Sequence, residues 1–100
     1  MSGLRVRLRF RLKNLYKIAE GAVMTVRDRV YSAFKESFDL DDDTDTSILV
    51  YQAYPAWTSI GHMILVAALE SEFDTMLETD DILEMSNFDK TVSIMSKYAN

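Results

Sequence analysis

Residues 59–73, with the sequence SIGHMILVAALESEF, decide the fold of this chain. At about 100° per residue they predict an α-helix that is apolar on two sides. One side carries His62, Leu65, Val66, Leu69 and Phe73, and the other carries Ile60, Met63, Ile64 and Ala67. A helix of this kind is either central in a bundle or offers its second face to a partner. Ser59 is predicted to be its N-cap, because serine caps helices well.

A second helix is predicted before this one, over residues 26–37. Thr25 and Asp28 have the spacing of a capping box, and an apolar stripe follows them at helical intervals. The stripe consists of Val26, Val30, Ala33, Phe34 and Phe38. Residues 39–57 are rich in turn formers but contain the apolar run of residues 48–51. We expect this run to pin the long connection to the core.

The chain beyond residue 73 predicts a short helix and then a last longer one. Thr79 is expected to cap a helix over residues 80–85, and Ser86 with Asp89 to open a helix over residues 88–98. The residues predicted to face inward from the last helix are Phe88, Val92, Met95 and Tyr98. The predicted fold class is therefore all-α, a four-helix bundle with three longer helices and one short helix.

Charge divides the chain into two parts. Residues 1–23 contain six basic residues and one acidic residue, whereas the remaining 77 residues contain five basic and fifteen acidic residues. An acidic surface repels nucleic acid and anionic lipid and favours basic protein partners. We therefore predict a basic N-terminal extension of residues 1–23 and an acidic helical domain of residues 24–100, with no nucleic acid bound by that domain.

The basic extension alternates apolar and arginine residues from Leu4 to Leu12, a period typical of a strand. It is predicted to be a poorly ordered extension, a membrane-surface or nucleic-acid arm, or an organelle-targeting segment. Met24 would serve equally well as a start, so the extension need not belong to the working domain. No secretory signal follows the basic start, and the apolar run of residues 63–69 is far shorter than the roughly 20 residues that span a bilayer. These features predict a cytoplasmic protein.

Composition excludes several kinds of chemistry. Cysteine is absent, which excludes disulfides, thiolate metal sites and a cysteine nucleophile. His62 is the single histidine, and the three glycines lack the spacing of a nucleotide-binding loop. The sequence therefore predicts no metalloenzyme and no nucleotide enzyme.

The aspartate run after residue 38 has part of a calcium-binding pattern. Asp39, Asp41 and Asp43 match the first three ligand positions of an EF-hand loop. The match then fails, because Thr44 stands where the loop needs glycine and Val50 where it needs a bidentate glutamate. The run is predicted to be a solvated acidic turn or a loose divalent-ion binder, and no metal site is predicted.

Ser59 supports three hypotheses. A Ser59–His62 pair has the types of a nucleophile and its base, but no glycine-flanked serine elbow or oxyanion hole accompanies it. His62 on an apolar face is better explained as a structural residue with its hydrogen bonds satisfied. A serine at a helix N-terminus is also a favourable place for a phosphodiester, because backbone N–H groups stabilise an added anion there. Spacing alone leaves this attachment site and a plain N-cap equally open.

Residues 24–100 resemble the acyl carrier protein family. The family has Asp-Ser-Leu or Asp-Ser-Ile, often after tryptophan, where this chain has Trp57-Thr58-Ser59-Ile60. The resemblance continues through the run of residues 63–73, through Asp80-Asp81-Ile82 and through Phe88-Asp89-Lys90-Thr91-Val92. The acidic balance and the order of the four helices agree with it. Two residues depart from the family pattern, since Thr58 replaces the aspartate before the serine and Asp74 replaces the glycine that usually ends the second helix.

The resemblance implies a function. Ser59 would take the family's attachment role and receive 4′-phosphopantetheine from coenzyme A through a separate phosphopantetheinyl transferase. The arm would carry acyl intermediates as thioesters in fatty-acid, polyketide or related lipid biosynthesis. Met63, Ala67, Glu70 and Ser71 fall where acyl-transferring and synthase enzymes with basic patches read the family's second helix. The chain would be a monomeric carrier and a substrate of enzymes, with no catalytic residue of its own.

Both departures have expected consequences. The family's aspartate before the serine helps the transferring enzyme and its magnesium recognise the site, so Thr58 puts the efficiency of modification in question. Asp74 is expected to adopt a left-handed conformation, which glycine adopts more readily. The alternative function is a non-catalytic helical interaction module, in which Ser59 is only a cap and the basic extension binds membrane or nucleic acid.

Overall fold

The structure is a computed structural model and describes residues 24–99. The first helix, α1, spans Val26–Phe38 and begins with the predicted capping box. The Thr25 hydroxyl accepts a hydrogen bond from the Asp28 N–H, and the Asp28 carboxylate accepts one from the Thr25 N–H, both at 3.1 Å. The helix ends one residue later than predicted, because Asp39 takes the left-handed conformation (φ 55°) and donates its N–H to the carbonyl of Lys35.

The second helix, α2, spans Ser59–Phe73, as predicted, but its N-cap is Thr58 and not Ser59. Thr58 has an extended backbone, and its hydroxyl accepts a hydrogen bond from the Gly61 N–H at 3.1 Å. Ser59 is consequently the first helical residue. At the other end, Asp74 is left-handed (φ 51°), as the sequence predicted.

The last two helices are α3, Thr79–Glu84, and α4, Phe88–Met95. The prediction that Thr79 and Ser86 cap them was wrong. Glu78 precedes α3 and makes no side-chain cap, while the Asn87 side chain caps α4 by accepting the Lys90 N–H at 2.7 Å. The predicted ranges 80–85 and 88–98 change accordingly. After Met95 the chain closes into tighter turns, in which Tyr98 donates its N–H to the carbonyl three residues earlier at 2.9 Å.

The core lies between α1 and α2 and is closed at one side by α4. Phe34 is its centre, with ring centroids 5.0 Å from Trp57, 5.1 Å from Phe88 and 5.7 Å from Phe38, in edge-to-face arrangements. The inner face of α2 agrees with the prediction, because Leu65, Val66, Leu69 and Phe73 are all buried. Within residues 24–99 the helices form an all-α bundle with no strand.

The connection from residue 39 to residue 58 is attached to the core, as predicted. It contains a single 3₁₀ turn, Thr46–Ile48, followed by the fully buried Leu49. Val50 then forms an isolated antiparallel bridge with Asn87. The bridge consists of two hydrogen bonds, from the Tyr51 N–H to the Ser86 carbonyl at 2.9 Å and from the Phe88 N–H to the Leu49 carbonyl at 3.1 Å. It fixes the loop against the start of α4.

Two further expectations concern the basic extension and the crossing of a membrane. The basic extension of residues 1–23 and the strand-like pattern within it lie outside the described residues. Among the helices of residues 24–99, none combines the length and the apolar character that crossing a membrane requires.

Candidate functional site

The site is built around Ser59, whose side chain is exposed in the first turn of α2. The preceding residue pair sets its position. Trp57 is completely buried, donates its backbone N–H to the Tyr54 carbonyl and accepts the Gln52 N–H at its own carbonyl, both at 2.9 Å. Thr58 then caps the helix, so the chain turns from a buried anchor to an exposed hydroxyl within two residues.

Gly61 allows the loop to approach the helix closely. A Cβ at this position would lie 2.0 Å from the carbonyl oxygen of Ala56 and 3.4 Å from Cε1 of Phe38. Any side chain would therefore displace either the loop backbone or the first turn of α2. Because glycine has no side chain, the loop can pack directly against the helix beside Ser59.

Tyr51 contacts Ser59 across the loop. The phenolic oxygen of Tyr51 lies 3.3 Å from Oγ of Ser59, a long hydrogen bond. The ring is held by the Trp57 indole, with centroids 6.1 Å apart, and by the His62 ring at 5.1 Å. The Ser59 hydroxyl lowers the pKa of the Tyr51 phenol, because it can donate to the phenolate, and the Gln52 side chain adds to this effect.

His62 is a structural residue with its hydrogen bonds satisfied, the explanation that the sequence favoured over a catalytic base. Its Nδ1 accepts the Trp57 Nε1–H at 2.9 Å, so its Nε2 carries the proton and donates to the carbonyl of Ile82 at 2.8 Å. Both ring nitrogens are thus engaged, and neither is directed to Ser59. The nucleophile–base pair is not assembled in the bundle.

The outer face of α2 is exposed and apolar beside Ser59. The exposed fraction is 75% for Ile60, 61% for Met63 and 50% for Ile64. Ala67 and Ser71 are exposed further along the same helix. Of the residues predicted to meet partners, Met63, Ala67 and Ser71 therefore lie on an accessible surface.

Glu70 differs from the other predicted contact residues. It is half-buried, and Oε2 accepts the backbone N–H of Leu77 at 2.9 Å. Its carboxylate therefore supports the turn between α2 and α3. The sequence contained no signal for this contact, because Leu77 lies beyond the end of α2 and the turn that brings its N–H back to Glu70 has no periodic pattern.

The acidic turn after α1 is organised by side-chain hydrogen bonds. The Asp45 carboxylate accepts the Ser47 N–H at 3.0 Å and the Ser47 hydroxyl at 2.8 Å, which lowers the pKa of Asp45. Tyr31 donates its hydroxyl to the carbonyl of Asp41, and Lys35 pairs with Asp42. In the part of the chain that the structure describes, no three acidic or histidine side chains are grouped as metal ligands would be.

Sequence reasoning missed Tyr51 as a site residue. It was recognised only as part of the apolar run that pins the loop. Tyr51 and Ser59 are eight residues apart in irregular chain, and no periodic pattern relates them. The phenol lies beside Ser59 because the loop is fixed by the bridge between Val50 and Asn87.

Searches with the chain found no matching protein-family model, no matching curated protein and no matching solved structure.

Proposed function

We propose that this chain is an acyl carrier protein that bears 4′-phosphopantetheine on Ser59. The observation that carries the proposal is the exposed Ser59 hydroxyl in the first turn of α2, next to the exposed apolar side chains of Ile60 and Met63. A covalent arm needs an accessible attachment atom, and its partner enzymes need an adjoining surface to bind. The resemblance in sequence over residues 24–100 supports the same assignment.

The attachment is a phosphoryl transfer to Ser59. Oγ attacks the coenzyme A phosphorus that bears pantetheine, and a new Oγ–P bond forms. The bond from that phosphorus to the bridging oxygen of the pyrophosphate breaks, and adenosine 3′,5′-bisphosphate leaves with the electron pair. The Ser59 proton passes to a base of the transferase, because His62 already uses both ring nitrogens in hydrogen bonds.

The residues around Ser59 fit such a group. The hydroxyl faces solvent, and the N-terminal end of α2 carries partial positive charge that favours a phosphodiester. When attached, the group supplies a terminal thiol that carries an acyl chain as a thioester. The chain itself supplies the anchor and the surrounding surface and performs no reaction, so it is not an enzyme in this proposal.

Thr58 has a defined place in the proposal. It supplies the N-cap of α2 that the family's aspartate would otherwise provide, and its hydroxyl is committed to the Gly61 N–H. It adds no negative charge with which a transferase and its magnesium could interact. We expect modification to be slower than for a Thr58→Asp variant, which would keep the cap and restore the charge.

The partner surface combines a small apolar contact with acidic surroundings. Met63 adapts to differing surfaces, and the fifteen acids of residues 24–100 attract enzymes that carry basic patches. Such encounters are fast and brief, as a shuttle between fatty-acid, polyketide or related synthases requires. A monomeric state and a cytoplasmic location belong to the same proposal.

The test is the mass of the chain after incubation with coenzyme A and a broad-specificity phosphopantetheinyl transferase. We expect one phosphopantetheinyl group on the wild type, located at Ser59 by peptide mapping, and none on Ser59→Ala. The matched control is Ser93→Ala, another exposed helical serine, which should gain the group as the wild type does. A folded wild type that gains no group, or gains it elsewhere, would contradict the proposal and favour the interaction module.

A further inference from the structure

The hydrogen-bond partners of Ser59 suggest how the arm would be held at its root. In residues 24–99 the side chain that hydrogen-bonds Ser59 is Tyr51, and no lysine or arginine hydrogen bond reaches this serine. Four of the five bases of this part are paired with carboxylates, namely Arg27 with Asp89, Arg29 with Glu72, Lys35 with Asp42 and Lys97 with Asp81. Among the described residues, the side chain that is in place to bind a phosphodiester on Ser59 is the neutral phenol of Tyr51.

Tyr51 is fixed in a position to be such a donor. Its backbone N–H is bonded to the Ser86 carbonyl at 2.9 Å, within the bridge that joins the loop to α4. Its ring packs against Trp57 and His62, and His62 is itself held by two hydrogen bonds. The ring is therefore packed against two others, and its oxygen already lies beside Ser59 before any group arrives.

Esterification of Ser59 changes what the phenol can bond. The free hydroxyl can donate to Tyr51, but the ester oxygen has no proton and is a weak acceptor. The phosphoryl oxygens next to it are strong charged acceptors within reach of the same phenol. We propose that Tyr51 binds the phosphodiester of the attached arm, donating its O–H to a phosphoryl oxygen and holding the root of the arm against the loop. This inference rests on the proposed function.

The proposed contact reverses an electrostatic effect. In the unmodified chain the Ser59 hydroxyl lowers the pKa of Tyr51, because it stabilises the phenolate. In the loaded chain that donor is gone, the phenol keeps its proton and donates a hydrogen bond to a phosphoryl oxygen, and a neighbouring anion disfavours the phenolate. All three changes raise the pKa of Tyr51, so loading should shift it upward.

The experiment compares the full-length chain before and after loading with phosphopantetheine. The ring carbon that bears the hydroxyl is labelled with ¹³C in the tyrosines, and the Tyr51 resonance is identified by its loss in Tyr51→Phe. We expect the Tyr51 titration to move upward on loading. We also expect the ³¹P resonance of the loaded wild type to differ from that of loaded Tyr51→Phe and to follow the Tyr51 titration.

The matched control is Tyr54→Phe. Tyr54 lies in the same loop as Tyr51, its ring is 6.0 Å from the Phe38 ring, and among the described residues no hydrogen bond joins its hydroxyl to Ser59. The ³¹P resonance of loaded Tyr54→Phe should coincide with that of the loaded wild type. Should Tyr51→Phe fail to fold, the Tyr51 resonance is identified by elimination in Phe variants of the other four tyrosines, and the wild-type titration decides the outcome.

Two different results separate the inference from the function on which it rests. A loaded wild type whose Tyr51 titration is unchanged, or whose ³¹P resonance matches that of Tyr51→Phe, would overturn the inference and leave the carrier function intact. A wild type that gains no mass with the transferase would overturn the proposed function and the inference with it. The mass is measured first, so the two failures are distinguished.

Discussion

Trp57 and His62 are joined by a hydrogen bond from Nε1–H to Nδ1 at 2.9 Å, five residues apart at the point where the loop becomes α2. Their rings are also stacked, with centroids 6.0 Å apart and planes 22° from parallel. The opposite nitrogen of His62 donates to the Ile82 carbonyl in α3. One imidazole therefore links the loop, α2 and α3, and it holds the buried indole that precedes Ser59.

We predict that His62→Phe destabilises the bundle by about 1–3 kcal/mol, because the buried Trp57 N–H loses its acceptor. His62→Asn should recover part of the loss, since its amide oxygen can take a place near that of Nδ1. The free energy of unfolding is measured in urea by the fluorescence of Trp57, the single tryptophan. The indole N–H proton resonance should move in His62→Phe, and an unmoved resonance would show that this hydrogen bond is absent in solution.

Gly61 gives a second prediction, concerned with the approach of the loop. Gly61→Ala should destabilise the bundle by about 1–3 kcal/mol, because its Cβ would lie 2.0 Å from the Ala56 carbonyl oxygen and force the backbone apart. Alanine would otherwise favour the helix, so a gain in stability would contradict the close approach. Ser71→Ala, at an exposed position of the same helix, is the control and should stay within about 0.5 kcal/mol of the wild type.

The helices could be predicted closely from the sequence, because their buried faces repeat at helical spacing. The predicted ends of α2 and the predicted start of α1 are the same residues as in the structure. The caps were less predictable where two capping residues stand side by side. Thr58 and Ser59 are both good caps, and the choice between them depends on Trp57, which is buried and sets where the extended backbone ends.

The candidate site was only half predictable. The exposure of Ser59, Met63 and Ala67 was expected from the position of the serine and the second apolar face. The roles of Tyr51 and Glu70 were not, because each acts through a contact across an irregular segment. Such contacts depend on how the loop folds back on the bundle, and no local periodicity encodes that path.

A third prediction concerns acid stability. The Asp81 carboxylate accepts hydrogen bonds from Lys97 Nζ, at 2.6 Å, and from the Tyr98 hydroxyl, and these bonds lower its pKa below the ordinary value of 3.8. The folded state therefore holds the Asp81 proton less tightly than the unfolded state. Its contribution to stability is present above the ordinary carboxyl range and is lost as the pH falls through the lowered pKa.

Asp81→Asn tests this contribution. At neutral pH the variant should be less stable than the wild type, and the difference should narrow as the pH is lowered below about 4. The measurement is urea unfolding at a series of pH values. Asp80→Asn, at the exposed neighbouring position, should leave the stability and its pH dependence close to those of the wild type. A difference that stays constant down to the lowest pH would refute the role of Asp81.

The last prediction separates support of the fold from recognition at Glu70. Because Oε2 accepts the Leu77 N–H at 2.9 Å, Glu70→Ala should lower the free energy of unfolding by about 1 kcal/mol, whereas Glu70→Gln keeps an acceptor and should lose less.

If the negative charge of Glu70 also attracts basic partners, Glu70→Gln should still slow association with the transferase at low salt, and this effect should fade as salt is added. Met63→Gln, on the exposed face, should weaken that association while leaving stability nearly unchanged. Equal stability of Glu70→Ala and the wild type would show that the turn between α2 and α3 does not need this carboxylate.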